Sequence, residues 1–232
     1  IGAARCLLGR GGHLAGKKVV VSAGGTQEPI DPVRLITNRS SGKQGHAIAQ
    51  AAQDAGAEVT LVTTTDLPTP TFAKIVKVQS AAEMLTSVIQ ESGDADLLVM
   101  AAAVADFRPA QAVNEKIKKE KGLPKLVLEP TVDILQAVAD QRQQTGWPRR
   151  VIGFAAESQD LLENAASKLR RKSMDMIVAN DISRPDSGFE VDTNQVTFLF
   201  PDGTVVPLPK IPKEEVAEAL IERSFAWFQV SE

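Results

Sequence analysis

Short apolar runs alternate with amphipathic stretches along most of this 232-residue chain. The runs are rich in Val, Ile and Leu and lack a period of two, as in strands of a parallel sheet that helices cover on both faces. Strands are predicted at Lys18–Ser22, Glu58–Thr63, Lys74–Val78, Asp96–Ala103, Val151–Ala155 and Met176–Ala179. Helices are predicted from a capping box at Ser80 and Glu83, over Asp133–Gln141 and over Leu161–Lys172. This alternation predicts an α/β fold with a Rossmann-like, doubly wound and mostly parallel sheet, whose ligands bind at the carboxyl ends of the strands.

The period changes to two near the C-terminus. Phe189–Leu208 alternates apolar and polar residues around a Pro-Asp-Gly turn, so a late β-hairpin is predicted as an appendage before a final helix over Lys213–Gln229. Because a lone hairpin is marginally stable in water, its Val196 and Phe198 need a covering surface. That surface is either the chain's own sheet or a second copy of the chain across a two-fold interface.

The long polar loop after the first strand is the first candidate for a ligand site. About eighteen residues separate this strand from the next helix, where two to six are usual. Gly24 and Gly25 allow a tight turn, and the segment Ser40–Lys43 opens the helix, so a phosphate could bind at the helix N-terminus. The loop lacks both a G-x-G-x-x-G sequence and a complete P-loop, which argues against an ordinary dinucleotide site and a Walker NTPase. The alternative is a strained βα loop without function.

Four segments in order resemble one enzyme family. GGTQEPIDPVRLITNRSSGKQG at 24–45 is similar to the signature of bacterial phosphopantothenate–cysteine ligases, the synthetase half of a bifunctional coenzyme A biosynthesis protein. AAAVADFR at 101–108, EKIKK at 115–119, and GFAAE at 153–157 together with Asn180-Asp181 follow in the family's order. The resemblance implies a ligase domain over 17–232 and a linker remnant over 1–16. Because the chain starts at Ile1 without Met, we expect it to be a fragment cut at that linker, and the resemblance implies a flavin-dependent decarboxylase domain before the linker in the full-length protein.

The resemblance implies a specific reaction. The enzyme would ligate 4′-phosphopantothenate to L-cysteine through an acyl-cytidylate, giving 4′-phosphopantothenoylcysteine, CMP and pyrophosphate. Mg²⁺ would accompany CTP, the co-substrate, and the active unit would be a homodimer in which both subunits contribute to each site. The residues by themselves do not distinguish CTP from ATP, and the metal ligands stay unknown.

The resemblance also implies the roles of individual residues. Asn38 and Lys116 are expected to be catalytic, and Arg34, Asn38 and Asn180 are expected to bind the acid substrate. The expected nucleotide-binding residues are Gly24, Gly25, Ser40, Ser41, Gly42, Lys43, Ala102, Ala103, Asp106, Phe107, Lys116, Val132, Asp133, Ile134, Leu135, Phe154, Lys168 and Lys172.

Several of these residues have simpler interpretations. The lysines of the loop Val104–Lys125 could form a solvated surface, although the resemblance favours a basic lid over a triphosphate. Lys168 and Lys172 share a helix face and would repel each other unless an anion lies between them, or they could end the helix in solvent. Phe154 could belong to the core, and Asp133 is more typical of a helix cap.

Composition excludes some classes of protein. A net charge of −3 argues against a nucleic-acid partner, and a single cysteine, Cys6, excludes an intramolecular disulfide and suits a reducing cytoplasm. No run approaches eighteen apolar residues, so no membrane span is expected. Cys6, His13 and His46 lack catalytic or metal-binding neighbours in the sequence and are given no role.

Two other functions are compatible with the predicted sheet. The first is a nicotinamide-dependent reductase, against which the missing G-x-G-x-x-G and the absence of Tyr argue. The second is a non-catalytic nucleotide-binding module, in which the EKIKK segment would have no purpose.

Overall fold

The computed structural model describes residues 9, 11–118, 125–157, 160–181 and 192–228. The helices are α1 (Lys43–Asp54), α2 (Ala81–Glu91), α3 (Ile134–Thr145), α4 (Leu161–Arg171) and α5 (Lys213–Phe225). The strands are β1 (Lys18–Ala23), β2 (Gln27–Pro29), β3 (Leu35–Thr37), β4 (Glu58–Thr63), β5 (Lys74–Lys77), β6 (Leu97–Met100), β7 (Phe107–Pro109), β8 (Leu128–Pro130), β9 (Arg150–Glu157), β10 (Met176–Asp181), β11 (Thr193–Asn194), β12 (Val196–Leu199), β13 (Val205–Pro207) and β14 (Ile211–Pro212).

The main sheet has eight strands in the order β13-β12-β10-β9-β6-β1-β4-β5. The six strands from β10 to β5 pair in parallel, whereas β12 pairs antiparallel with β10, and β13 pairs antiparallel with β12. The predicted α/β, mostly parallel sheet is confirmed. Because β1 and β6 lie at its centre, the polar loops that follow them meet at one edge of the sheet, where ligands of doubly wound folds bind.

Helices cover the sheet on both faces. Val19 and Val21 of β1 pack in one core with Ile48 of α1 and Leu220 of α5, while Val20 points into the opposite core with helices α2, α3 and α4. Since successive side chains of a strand point to opposite faces, a strand buried on both faces needs the unbroken apolar run seen in β1. The capping box predicted for α2 is present at Ser80.

Three small ribbons lie outside the main sheet, and none of them was predicted from the sequence; one of them pairs β11 with β14. β2 pairs with β3 inside the long first loop, and β7 pairs with β8 across the segment that was expected to be a loop. The prediction of a strand over Asp96–Ala103 was too long, because β6 ends at Met100. Beyond that residue the chain leaves the sheet, and the N–H of Ala102 donates to Oγ of Ser22 at 3.1 Å.

The late hairpin is an integral part of the sheet. β12 and β13 form its two strands, and β12 pairs with β10. Val196 and Phe198 are 1% and 0% exposed within the chain, so no second copy is needed to cover them. Of the two predicted covering surfaces, the chain's own sheet is the one found, and the hairpin therefore gives no argument for a dimer; Phe189 and Val191 lie outside the described residues. The final helix ends at Phe225, before the predicted Gln229.

The described N-terminal residues pack on the domain. Leu14 is fully buried, and its N–H donates to the carbonyl of Ala55 at 2.9 Å. The boundary at residue 16 stays a prediction. No helix in the described parts of the chain combines the length and apolarity that crossing a bilayer requires.

Candidate functional site

A cavity of about 590 Å³ opens where the parallel strands end. Its wall comes from the segments 38–45, 100–106, 131–135 and 154–156, joined by the single residues Lys168, Asn180, Asn194 and Lys213. The cavity therefore lies at the carboxyl edge of β1, β6, β9 and β10, as the fold class predicts.

Most of the predicted site residues meet in this wall. They are Asn38, Ser40, Ser41, Gly42, Lys43, Ala102, Ala103, Asp106, Val132, Asp133, Ile134, Leu135, Phe154, Lys168 and Asn180. Gly24, Gly25, Arg34, Phe107, Lys116 and Lys172 do not line it. The sequence analysis did not anticipate Gln44, Thr131, Asn194 and Lys213, which do line it.

One end of the cavity, the α1 end, is formed by the helix start at Gly42 and Lys43. Gly42 has a φ of +77° and offers no side chain to cap α1. A Cβ at this position would lie 2.9 Å from Cγ2 of Thr65 and 3.4 Å from Cα of Gly24, so only glycine lets these loops approach closely. Gly24 stands behind the wall in a supporting position. The N–H of Lys43 has only a long contact of 3.5 Å to Oγ of Ser41, and a helix start without a side chain at the cap position presents backbone N–H groups and a partial positive charge that favour an anion.

His46 ties the α1 end to the loop after β4. Nδ1 of His46 lies 3.0 Å from the carbonyl oxygen of Pro68, while its Nε2 lies 3.2 Å from Oγ1 of Thr63 and 3.0 Å from Oγ1 of Thr65. A carbonyl can only accept, so these contacts assign the proton to Nδ1 and make Nε2 an acceptor. Burial lowers the pKa of His46, and the nearby Lys77 charge lowers it further against the opposing effect of the Pro68 carbonyl. The neutral imidazole holds the loop that packs on Gly42.

Lys43 and Lys213 carry positive charge at the α1 end. Nζ of Lys43 lies 2.5 Å from Oδ1 of Asp192, and this hydrogen bond lowers the pKa of the Asp192 carboxyl. Lys213, the first residue of α5, is only 4% exposed although it is charged. No motif marks it, and 169 residues separate it from Gln44, whose Nε2 donates to its carbonyl at 3.0 Å. Sequence patterns therefore offered no signal for it.

At the opposite end of the cavity, the α3 end, side chains of the protein itself cap the helix and neutralise the nearby positive charge. Asp133 caps α3, because its Oδ1 accepts from the N–H of Gln136 at 3.0 Å. Its Oδ2 lies 2.8 Å from Nζ of Lys172. Burial would raise the pKa of Asp133, but the Lys172 hydrogen bond, the Gln136 N–H and the charges of Lys172 and Lys168 outweigh it and lower the pKa.

Lys168 of α4 and Lys172, which directly follows α4, have different surroundings, and their expected contacts with a nucleotide stay a prediction. Lys172 is 8% exposed and bonds to Asp133 and to Oε1 of Gln136, so its anion is a carboxylate of the protein itself. Lys168 does line the cavity, and its Nζ donates to the carbonyl of Phe154 at 3.3 Å. The two lysines share a helix face as predicted, but only Lys168 reaches the cavity wall.

Backbone hydrogen bonds fix the side of the cavity between the two ends. The N–H of Ala103 donates to the carbonyl of Gly24 at 2.8 Å, and the N–H of Ala105 donates to Oγ1 of Thr26 at 2.9 Å. Nδ2 of Asn38 donates to the carbonyl of Val104 at 2.9 Å. This rigid arc presents backbone groups to a ligand, whereas Phe107 continues into β7 and its side chain is 55% exposed away from the wall.

Arg34 and Lys116 lie beyond the cavity on one connected surface. The side chain of Asp31 is fully buried and accepts from the N–H groups of Val33 and Ile117 and from the Arg34 guanidinium. Burial would raise the pKa of Asp31, but these hydrogen bonds lower it. Nη2 of Arg34 also donates to the carbonyl of Ile117 at 3.4 Å. Asp31 and Arg34 thus hold the backbone next to Lys116, which is exposed.

The predicted basic lid lies partly outside the described residues, and the predicted Mg²⁺ ion has no assigned ligands. Lys119 and Lys121 of the expected basic lid lie outside the described residues. In the portion of the chain that the structure describes, no group of three or more His, Cys, Asp or Glu side chains could hold a metal ion.

Comparison with known proteins gives consistent matches. Residues 14–226 match the family model of the DNA/pantothenate metabolism flavoprotein C-terminal domain. The coenzyme A biosynthesis bifunctional protein CoaBC of Mycobacterium tuberculosis is 45% identical over 218 residues, which cover 90% of this chain and 52% of that protein. CoaBC of Bacillus subtilis is 42% identical over 212 residues, covering 90% of this chain and 51% of that protein. The chain thus spans about half the length of these relatives.

A solved structure agrees with these sequence matches. The crystal structure of the C-terminal domain of a coenzyme A biosynthesis bifunctional protein CoaBC superposes with a TM-score of 0.79 at 39% identity. The match covers 94% of this chain and 99% of that one. It supports the mostly parallel sheet with flanking helices.

Proposed function

The chain belongs to the DNA/pantothenate metabolism flavoprotein C-terminal domain family, and we propose that it is a phosphopantothenate–cysteine ligase. In this proposal it joins 4′-phosphopantothenate to L-cysteine with hydrolysis of CTP to CMP and pyrophosphate. The relatives named as coenzyme A biosynthesis proteins support this activity and give no support to a nicotinamide-dependent reductase.

The observation that carries the proposal is the open α1 end of the cavity. An uncapped helix N-terminus, Lys43 and the buried Lys213 all lie in the wall of one cavity, with Lys168 on another part of that wall. A ligase of this type must bind a nucleotide triphosphate and a phosphorylated acid together, so it needs positive charge and backbone donors more than a covalent nucleophile. A non-catalytic nucleotide-binding module would need room for one anionic ligand only.

The first step activates the carboxylate. An oxygen of the 4′-phosphopantothenate carboxylate attacks the α-phosphorus of CTP, a new P–O bond forms, and the bond to pyrophosphate breaks. Charge that develops on the leaving pyrophosphate would be stabilised by the α1 N–H groups and Lys43. We assign Lys116 to charge stabilisation at the α-phosphorus, a role supported by the family resemblance of EKIKK.

The second step forms the amide. The amine of cysteine attacks the activated carbonyl carbon, CMP leaves with the former carboxylate oxygen, and the amine loses one proton. Asn38 is assigned to the acyl-phosphate, and Asn180 and Arg34 to the acid substrate. The 2.9 Å hydrogen bond from Asn38 to Val104 supports the assignment, because it fixes the Asn38 amide beside the backbone arc.

The nucleotide base would lie against the same arc. The N–H groups of Ala102 and Ala103 already donate to Ser22 and Gly24, so the carbonyl of Ala102 is the backbone group proposed to read the edge of cytosine. Phe154, which is half-buried in the wall, offers an apolar surface. Mg²⁺ would bind mainly through polyphosphate oxygens, as it commonly does in nucleotide sites, and Asp106 is a carboxylate of the wall suited to assist it. When bound, the ion would neutralise charge on the polyphosphate.

A homodimer is a further part of the proposal. It is supported by exposed apolar side chains on the two ribbons β2–β3 and β7–β8, including Val33, Leu35, Val127 and Leu128. Exposed apolar side chains that lie together commonly mark interfaces, and sedimentation of the purified chain would measure the assembly. The bifunctional relatives support fusion to a flavin-dependent decarboxylase domain, with residues 1–16 as the linker. The single cysteine supports a cytoplasmic location.

A single-turnover experiment tests the function. With CTP, Mg²⁺ and 4′-phosphopantothenate, the chain should release pyrophosphate and form acyl-cytidylate without cysteine, because activation precedes amide formation. Mass spectrometry would detect the intermediate, and added cysteine should convert it to product and CMP. Lys116→Gln should prevent its formation. Strict dependence of pyrophosphate release on cysteine would contradict the mechanism, and thermal stabilisation by NAD alone would contradict the function.

A further inference from the structure

Lys213 is a buried lysine in the wall of the cavity. It begins α5, is 4% exposed and lies on the same wall as Lys43. Lysines are rarely buried unless a group of opposite charge or a function retains them. In the cavity wall it adds positive charge to the surface that a ligand would contact.

The backbone of Lys213 is held firmly at the start of α1. Its N–H donates to the carbonyl of Asp192 at 3.0 Å, and its own carbonyl accepts from Nε2 of Gln44 at 3.0 Å. Gln44 directly follows Lys43 in the first turn of α1. Because α5 and α1 also share one core through fully buried Leu220 and Ile48, the start of α5 is held near the N-terminus of α1.

This arrangement brings several positive charges together. Burial lowers the pKa of Lys213, and the charge of Lys43 lowers it further, although Asp192 and Glu214 act in the opposite direction. The partial positive charge at the start of α1 has the same sign. A bound anion would relieve this repulsion, and a phosphoryl group is the anion that suits a helix N-terminus with two ammonium groups.

A second observation indicates that a polar ligand completes this wall. Asn180 lines the cavity and is 8% exposed, and its Oδ1 has no hydrogen-bond partner within the described residues. Buried polar atoms are nearly always satisfied, so this oxygen, which can only accept, calls for a ligand group that donates a hydrogen bond and not for the phosphoryl group itself.

We propose that Lys213 and Lys43 together bind a phosphoryl group of a substrate at the α1 end of the cavity. The inference rests on the proposed function and deepens it, because it adds a residue from the C-terminal helix to the anion site. The phosphoryl group belongs either to the polyphosphate of the nucleotide or to the phosphate of 4′-phosphopantothenate. Both sources present the same chemistry to two lysines.

Asp192 competes with this anion for Lys43. Its carboxylate is 83% exposed and pairs with Lys43 when no ligand is present. Exposed ion pairs contribute little stability, so a phosphoryl group with greater negative charge can displace the carboxylate. Lys43 would then turn from Asp192 to the phosphoryl group that Lys213 also contacts.

The test compares three lysine variants by calorimetric titration with inorganic pyrophosphate. Lys213→Met should weaken binding by about tenfold or more, as expected for the loss of a charge-assisted hydrogen bond. Lys213→Arg should retain most of the affinity. Lys210→Met is the matched control, because Lys210 is exposed three residues earlier and does not line the cavity, and it should bind like the unchanged chain.

Two further titrations identify the source of the phosphoryl group. A parallel loss of affinity for CTP in Lys213→Met assigns Lys213 to the nucleotide polyphosphate, whereas a loss confined to 4′-phosphopantothenate assigns it to the acid substrate. If Lys213→Met does not fold, Asp192→Asn still tests the site. That variant frees Lys43 and should strengthen pyrophosphate binding about two- to threefold, less so at high salt.

The inference is overturned if folded Lys213→Met binds pyrophosphate, CTP and 4′-phosphopantothenate as tightly as the unchanged chain. It is also overturned if Lys210→Met loses as much affinity, or if Lys213→Met does not fold and Asp192→Asn binds pyrophosphate no more tightly. Failure of the proposed function gives a different result. A chain that binds pyrophosphate through Lys213 but makes no 4′-phosphopantothenoylcysteine would retain the anion site and lose the ligase assignment.

Discussion

The two ends of the cavity each contain a helix N-terminus with lysines nearby, but a side chain caps the helix at only one of them. At the α3 end, Asp133 caps the helix and pairs with Lys172 at 2.8 Å. At the α1 end, Gly42 supplies no cap, and Lys43 and Lys213 lie beside the open helix start. The helix dipole is similar in both cases, so the difference comes from the side chains.

This difference indicates where an incoming anion can be bound. An anion at the α3 end would have to displace Asp133 from both Gln136 and Lys172. Because Lys172 is 8% exposed, breaking that pair would leave a buried ammonium group without its carboxylate. At the α1 end the helix start has no side-chain cap, and the competing carboxylate, Asp192, is exposed. A helix N-terminus near a cavity can thus bind an anion only when no carboxylate of the protein itself already caps the helix and pairs with the neighbouring lysine.

The largest expected effect comes from Gly42→Ala. A left-handed backbone costs a non-glycine residue about 1–2 kcal/mol, and the new Cβ would also lie 2.9 Å from Thr65, so we expect a total loss of about 2–3 kcal/mol. CTP binding should weaken as well. Gly146→Ala is the control, since Gly146 has a φ of +80° and open space around its Cβ position.

The free energies of unfolding of both glycine variants, measured with denaturant, separate the cost of left-handed backbone from the cost of the contact with Thr65. Gly146→Ala should lose about 1 kcal/mol and keep its affinity for CTP. An equal loss of stability in the two variants would mean that contact with Thr65 does not shape the α1 end.

A smaller effect distinguishes Lys168 from Lys172. Lys172→Met removes the partner of Asp133, which is 54% exposed, so we expect a loss of about 1–2 kcal/mol, or several degrees in the thermal midpoint. Lys168→Met should leave stability within about 0.5 kcal/mol and weaken CTP binding instead. If Lys172→Met kept its thermal midpoint but lost CTP affinity, Lys172 would contact the nucleotide directly, as the family resemblance implies.

The parallel sheet could be predicted because its strands are buried on both faces and read as continuous apolar runs. Helix α2 could be predicted because its capping box is local in the sequence. The ribbons β2–β3 and β7–β8 could not, because their strands have three residues each and expose much of their surface. Hydrophobic periodicity is too weak over three residues to identify a strand.

The glycine- and serine-rich part of the site could be predicted from the sequence. The tertiary contacts of the site could not. Gly42 and Lys43 stand out next to a predicted strand and helix, whereas Lys213 reaches the same wall only after the chain has crossed the whole sheet. The spacing of Lys168 and Lys172 correctly placed them on one face. It could not reveal that Asp133, on another helix, supplies the anion for Lys172.

The smallest expected effect is a difference in pH dependence between the two ends. The pKa of His46 in the folded chain lies below its usual value of 6.5 because the ring is buried. At pH values between the folded-state pKa of His46 and 6.5, the unfolded chain binds more protons than the folded chain. The free energy of unfolding therefore decreases as the pH drops below about 6.5. The pKa of Asp133 is lowered from 3.8, so the stability that it contributes is present above 3.8 and is lost only as the pH falls below that value.

Thermal midpoints measured from pH 7.5 to pH 5 should therefore report on the α1 end. The midpoint of the unchanged chain should decline over this range, and His46→Gln should decline less steeply, whatever its absolute stability. Asp133→Asn should keep the slope of the unchanged chain in this window and differ only below about pH 4. Since neutral His46 holds the loop that packs on Gly42, the same decline should appear in the amide exchange protection of the first turn of α1. If the thermal midpoint of His46→Gln declined with falling pH as steeply as that of the unchanged chain, protonation of His46 would not be what destabilises the α1 end.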